Sequence, residues 1–174
     1  VQDDPLFVLE QLKRRRGNFN SAKYDHIKAS VLKQIEKVGL CHLNQKAIEV
    51  QYADYGEPND LNGYQKLSLT KLESVMAFFA HNDRNLFKVK LMKLLWYVDA
   101  LAFQMYGKTV TGLVYMHKPY GALPLANAEI IHLPSLSVEE IEINDHVGYH
   151  ITAEKGWELA PLSAGEKEVV YRVA

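Results

Sequence analysis

"LMKLLWYVDALAFQMYG" runs from Leu91 to Gly107 and has a helical period. At about 3.6 residues per turn, Leu91, Leu94, Leu95, Val98, Leu101, Ala102 and Met105 share one helix face. Met92, Trp96, Asp99, Phe103 and Tyr106 form a neighbouring stripe. Lys93, Tyr97, Ala100 and Gln104 make up the remaining side. About two thirds of the circumference is apolar, so this helix, spanning roughly Leu86 to Tyr106, should pack against more than one neighbour. Gly107 is the expected left-handed stop. One carboxylate interrupts the pattern. The residues three and four away from Asp99 are Leu95, Trp96, Ala102 and Phe103, none of them a cation. Because an unpaired buried carboxylate is costly, Asp99 must face solvent, meet a cation or backbone donors from elsewhere, or meet a partner protein. His117 and Lys118 are the candidate cations within the chain. Lys88, Lys90 and Lys93 crowd the N-terminal turns, where the helix dipole disfavours positive charge. They read either as solvated side chains or as a basic rim beside a Trp/Tyr surface.

Outward from this helix, the pattern stays mostly helical. "QDDPLFVLEQLKRRR" (2–16) has an Asp cap, an early proline, a basic C-terminal end and Gly17 as its stop. A second helix is expected from Ser21 to Val38, ended by Gly39, which makes the opening an αα-hairpin. "KAIEVQYADY" leans to helix, and "GEPNDLNGYQ" (56–65) is turn-rich and taken as the main boundary. Ser68 or Thr70 caps a helix through Leu72, Val75, Met76 and Phe79, ending near 81–83. Beyond Gly107, "TVTGLVYMHKP" (109–119) reads as a strand, "YGALP" as a turn and "PLANAEIIHL" (124–133) as a short helix. Strands at 138–144 and 147–153 form a hairpin, and Ser163 with Glu166 makes a capping box for a last helix. The fold class is α+β, a mainly helical domain with a small antiparallel sheet, preceded by an α-helical hairpin.

Composition narrows the function. The 174 residues carry 20 basic and 21 acidic side chains, net −1, so a chain-wide basic field for nucleic acid is absent. Apolar residues make up 48%, enough for a real core. Cys41 is the one cysteine and can build neither an intramolecular disulfide nor a thiolate zinc site alone. No apolar run approaches the ~18–20 residues of a membrane span. The chain opens on valine and reads as a piece of something longer. None of the nucleotide-, phosphate- or hydrolase-type motifs occurs, and His146 and His150 fall in a hairpin too far apart for a chelate. No catalytic residue, metal ligand or cofactor is expected, and the chain is read as a non-enzyme.

Three stretches together carry a family resemblance: "LNGYQKLSLTKLESVMAFF" (61–79), "KVKLMKLLWYVDALAFQMYGKTVTGLVY" (88–115) and "KPYGALP" (118–124). Their order resembles the Panacea-domain antitoxins, the SocA-like family once described as phage-associated GepA-like proteins. That family's signature is a K-L-x-K-L-L-x-Y helix, then Y-G-K, then a Y-G-P-V-P-like turn. Here the helix reads Lys90 to Tyr97, Tyr106-Gly107-Lys108 follow, and the turn Tyr120-Gly121-Ala122-Leu123-Pro124 carries alanine where the family usually has proline. The opening segment is similar to the part that follows an MqsA-like helix-turn-helix in longer members. On that resemblance, residues 1–55 are the tail of a DNA-binding module absent here, and 61–174 a Panacea-type domain that would continue beyond this chain.

The resemblance implies a cytoplasmic antitoxin that neutralises a cognate toxin protein by direct binding. Some family members act as adaptors to a protease. DNA would be contacted only through an upstream module, no membrane is implied, and a homodimer is compatible with it. The alternative is a transcriptional regulator in which this domain senses or oligomerises. Position in the motifs nominates Lys93, Trp96, Tyr97, Asp99, His117, Tyr120 and Gly121 for the toxin-binding site. Asp99 would then either brace the Tyr120-Gly121 turn or line the toxin-binding surface.

Overall fold

The computed structural model describes residues 5–14, 21–119, 121–143 and 146–174. Five α-helices and four strands are seen among them: α1 (Pro5–Arg14), α2 (Ser21–Gln51), α3 (Leu69–Asn82), α4 (Lys88–Tyr106), β1 (Tyr115–Lys118), β2 (Gly121–Pro124), β3 (Leu136–Ile143), β4 (His146–Ala153) and α5 (Ala164–Val173). The α+β class holds, with two separate two-stranded antiparallel sheets, β1–β2 and β3–β4, where one small sheet was expected.

The chain divides into two compact units, 1–43 and 44–174, with the division inside α2. In the first unit Leu12, Tyr24 and Val31 are buried. The connection between α1 and α2 lies outside the described residues, and so does Gly17. Gly39 does not end the second helix, which runs on to Gln51. A glycine costs a helix about 1 kcal/mol relative to alanine and does not by itself stop it. The far end of α2 carries Ile48, and Tyr52 follows, both buried in the second unit's core. That burial favours the continuation.

The second unit is built around α3 and α4. Ser68 caps α3, its Oγ accepting from the Lys71 N–H, and the helix ends at Asn82. Leu72, Val75, Met76 and Phe79 are buried on it. Gly107 closes α4 in the left-handed region at φ 71°, its N–H donating to the Phe103 carbonyl. Leu91, Leu95, Val98 and Ala102 are buried, with Leu94, Leu101 and Met105 packed against the same core. As the wide apolar arc required, α4 touches α3, β2, β4 and α5. The second stripe divides: Met92 and Asp99 are buried, while Trp96, Phe103 and Tyr106 are exposed. The α5 capping box is present, and Glu166 reaches back to Lys71 on α3 at 2.6 Å. Burial pushes the Glu166 carboxyl up, but the Lys71 ammonium and the Ser163 donors outweigh it and hold the group below its usual value.

Three local expectations fail in the segment after α4. Strand 109–118 shrinks to Tyr115–Lys118, because the Val110 and Thr111 N–H groups are taken by Asp99 and cannot join a ladder. The expected turn at 120–124 instead supplies β2, which pairs Gly121 with Lys118 and Pro124 with Tyr115. The expected helix over 124–133 is reduced to a single 3-10 turn, Ile130–His132, whose Ile130 and Ile131 are buried.

The turn-rich stretch before α3 is tied in tightly. Asn62 is fully buried, and its side-chain amide donates to the Tyr55 and Glu57 carbonyls. Ser68 N–H donates to the Thr111 carbonyl across this contact. Gly112 makes the close approach possible: its φ is +76°, and an added Cβ would lie 2.5 Å from the Lys66 backbone. Gly112→Ala is expected to cost about 2 kcal/mol through left-handed strain and displaced backbone. Chemical denaturation with a midpoint equal to wild type would show that the approach is not tight.

Candidate functional site

The site grows from the exposed side of α4. A helix packed on several neighbours leaves one stripe uncovered, and here that stripe is aromatic. Trp96 is 40% exposed, Tyr97 54% and Phe103 45%. Trp96 and Tyr97 meet edge to face with centroids 5.2 Å apart. Phe103 stacks on Tyr64 at 6.3 Å, and Leu61 beside Tyr64 is exposed too. Large apolar side chains held contiguously in solvent mark interaction surfaces more often than scattered ones do.

Trp96 is a ridge between two grooves. One, of about 310 Å3, is lined by Lys93, Trp96, Tyr97, Gly121 and Ala122. Its far wall is the start of β2, placed there because β2 packs on α4. The other, of about 300 Å3, lies towards Phe103 and the 109–115 segment. The structure therefore brings Lys93, Trp96, Tyr97 and Gly121 to one groove. His117 is exposed on β1, opposite Ala122 in the ladder, and lines neither groove. Tyr120 lies outside the described residues.

Asp99 is 2% exposed and has a different place. Its Oδ1 accepts from the Val110 and Thr111 N–H groups, each at 2.9 Å. Its Oδ2 accepts from the Thr111 hydroxyl in a short bond and from the Tyr115 phenol at 2.9 Å. Thr111 Oγ1 in turn accepts from the Leu113 N–H. The carboxylate is thus paired with neutral donors; neither His117 nor Lys118 is among the hydrogen-bond partners seen. It braces residues 110–115, the segment that leads into β1, and no described bond joins it to Gly121. Burial raises the Asp99 carboxyl above the ordinary carboxylate range, opposed by the Thr111, Tyr115 and Val110 donors. Burial also drives the Tyr115 phenol well up, and the Asp99 charge adds to it, so Tyr115 stays protonated and donates.

A second buried phenol extends the brace. Tyr52 OH accepts from the Val114 N–H and donates to the Leu125 carbonyl, and burial raises its titration as well. The end of α2, α4, the 110–115 segment and the chain after β2 are thereby linked through polar side chains. Sequence reasoning missed Thr111, Tyr115 and Tyr52. Their partners lie 12, 16 and 62 positions away, beyond any helical or strand period. The Leu61–Tyr64–Phe103 side of the face was missed for the same reason.

Residues 91–174 match a family model described as the SocA-like antitoxin, Panacea domain. The match starts on α4 and takes in both hairpins and α5, so this part of the chain is similar to the SocA-like Panacea domain. The helix-turn-helix likeness of the opening segment lies outside it. No curated protein and no solved structure matches the chain.

Proposed function

We propose that this protein is the antitoxin of a bacterial toxin–antitoxin pair and neutralises its toxin by direct, non-enzymatic contact in the cytoplasm. The observation that carries this reading is the uncovered aromatic face of α4, the helix on which the SocA-like antitoxin match begins. Trp and Tyr beside a basic residue are the composition of a binding hot spot: large contact area, few rotors and one polar handle each. Lys93, Trp96, Tyr97 and the Gly121–Ala122 edge form the contact surface. Asp99 acts from below, by fixing the 110–115 segment that feeds β1 and so the hairpin wall of the groove.

The test is growth rescue with co-purification. The open reading frame beside this gene is expressed in a bacterial host with and without this protein. Relief of toxicity together with co-purification of the two proteins is the expected result. Toxicity that this protein leaves untouched would reject the antitoxin reading and favour a regulator acting through an upstream DNA-binding module.

A further inference from the structure

The second groove beside Trp96 has a chemistry of its own. Trp96 and Phe103, about two turns apart on α4, both line it, with the small Ala100 between them and one face of Phe103 stacked on Tyr64. Tyr115 and Asp99 lie at its floor and Asp60 at its rim. Both charged residues lining it are acidic, and Asp60 is exposed. Asp99 accepts from two backbone N–H groups, a hydroxyl and a phenol, all neutral, so none of the hydrogen-bond partners seen brings a positive charge to it. The result is a cleft of about 300 Å3 with aromatic faces and a negative floor. A planar cation fits both features: its charge answers the carboxylates, and its face stacks on the rings.

We infer that this cleft receives an arginine side chain presented by the toxin, an inference that rests on the antitoxin reading above. An aliphatic side chain would bring no positive charge to the exposed Asp60. An acidic one would be repelled by Asp60 and Asp99. Lys93, on the other side of the Trp96 ridge, faces the other groove, so the two grooves differ in charge and fix the orientation of the bound partner.

The test uses the full chain carrying Trp157→Phe, which leaves Trp96 as the one tryptophan of the two in the sequence. Trp96 emission is followed while N-acetyl-arginine methylamide is added at constant ionic strength, and again with the citrulline analogue, which has the same shape without the charge. The expected result is a saturable response to arginine with half-saturation about tenfold lower than for citrulline, the size of a desolvated cation–π contact. Asp60→Asn and Phe103→Ala should each weaken the arginine response. Equal responses to the two compounds, or none, would overturn the inference. In parallel, Asp60→Lys is put through the growth rescue. Neutralisation by wild type and equally by Asp60→Lys would overturn the arginine cleft and leave the antitoxin reading standing. Failure of the wild type to neutralise would remove the toxin as occupant, whatever the titration gives.

Discussion

Asp99→Ala should melt roughly 10 °C below the wild-type protein, at about 2–4 °C per kcal/mol for a domain of this size. The substitution removes the acceptor for four donors at once: the Val110 and Thr111 N–H groups, the Thr111 hydroxyl and the Tyr115 phenol. A buried donor left without a partner costs about 1–3 kcal/mol, and water entering the gap recovers part of it, so a net loss of about 4 kcal/mol is expected. Asp99→Asn keeps the shape but turns an amide N–H2 towards groups that also donate. It should lose about half as much. Thermal melts by circular dichroism decide the matter. A melt unchanged from wild type, with neutralisation lost, would mean that Asp99 contacts the toxin instead of bracing the fold. An unchanged melt with full neutralisation would deny it both roles.

Trp96→Ala should weaken toxin binding about 100-fold while leaving the fold in place. Truncating a central Trp in an interface costs about 2–4 kcal/mol, and a factor of 100 is about 2.7 kcal/mol. Trp96 borders both grooves, so its loss affects both halves of the proposed contact. Its ring is 40% exposed and its named ring contact is the exposed Tyr97, so the stability cost should stay near 1 kcal/mol or below. Titration of purified toxin against wild type, Trp96→Ala and the Trp96→Ala/Tyr97→Ala pair measures the effect, with a melt of each as the fold control. A double variant that binds and neutralises like wild type would rule out this face of α4 as the contact surface.

The long helix was legible because its signals are local. Leu91, Leu95, Val98 and Ala102 recur at helical spacing, and Gly107 supplies the one backbone conformation that ends the run. The Ser68 cap and the Ser163–Glu166 capping box are equally local, since each binds a partner three residues on. The segment after α4 was legible only in part. Its β-branched residues fit a strand, yet residues 109–114 are not one, because a carboxylate on the preceding helix captures the backbone donors a strand would need. Likewise 121–124 has the look of a turn and pairs as a strand, because β1 lies alongside it. The extension of α2 past Gly39 depended on where Ile48 and Tyr52 would be buried.

Local patterning was enough for α3, α4 and α5, the Ser68 and Ser163 caps, the Gly107 stop and a carboxylate with no partner on its own helix, since each is a matter of residues within about one turn. Position in the family's motifs also nominated Lys93, Trp96, Tyr97 and Gly121, which do line one groove. What answers Asp99, and which side of Trp96 is which, came from the packing of distant segments. Asp99 is answered by residues 11 to 16 positions further on, and the two sides of Trp96 differ because Gly121 and Ala122 line one groove and Asp60 and Leu61 the other. Chain spacing carries no record of such pairs, because burial, and not periodicity, brings them together.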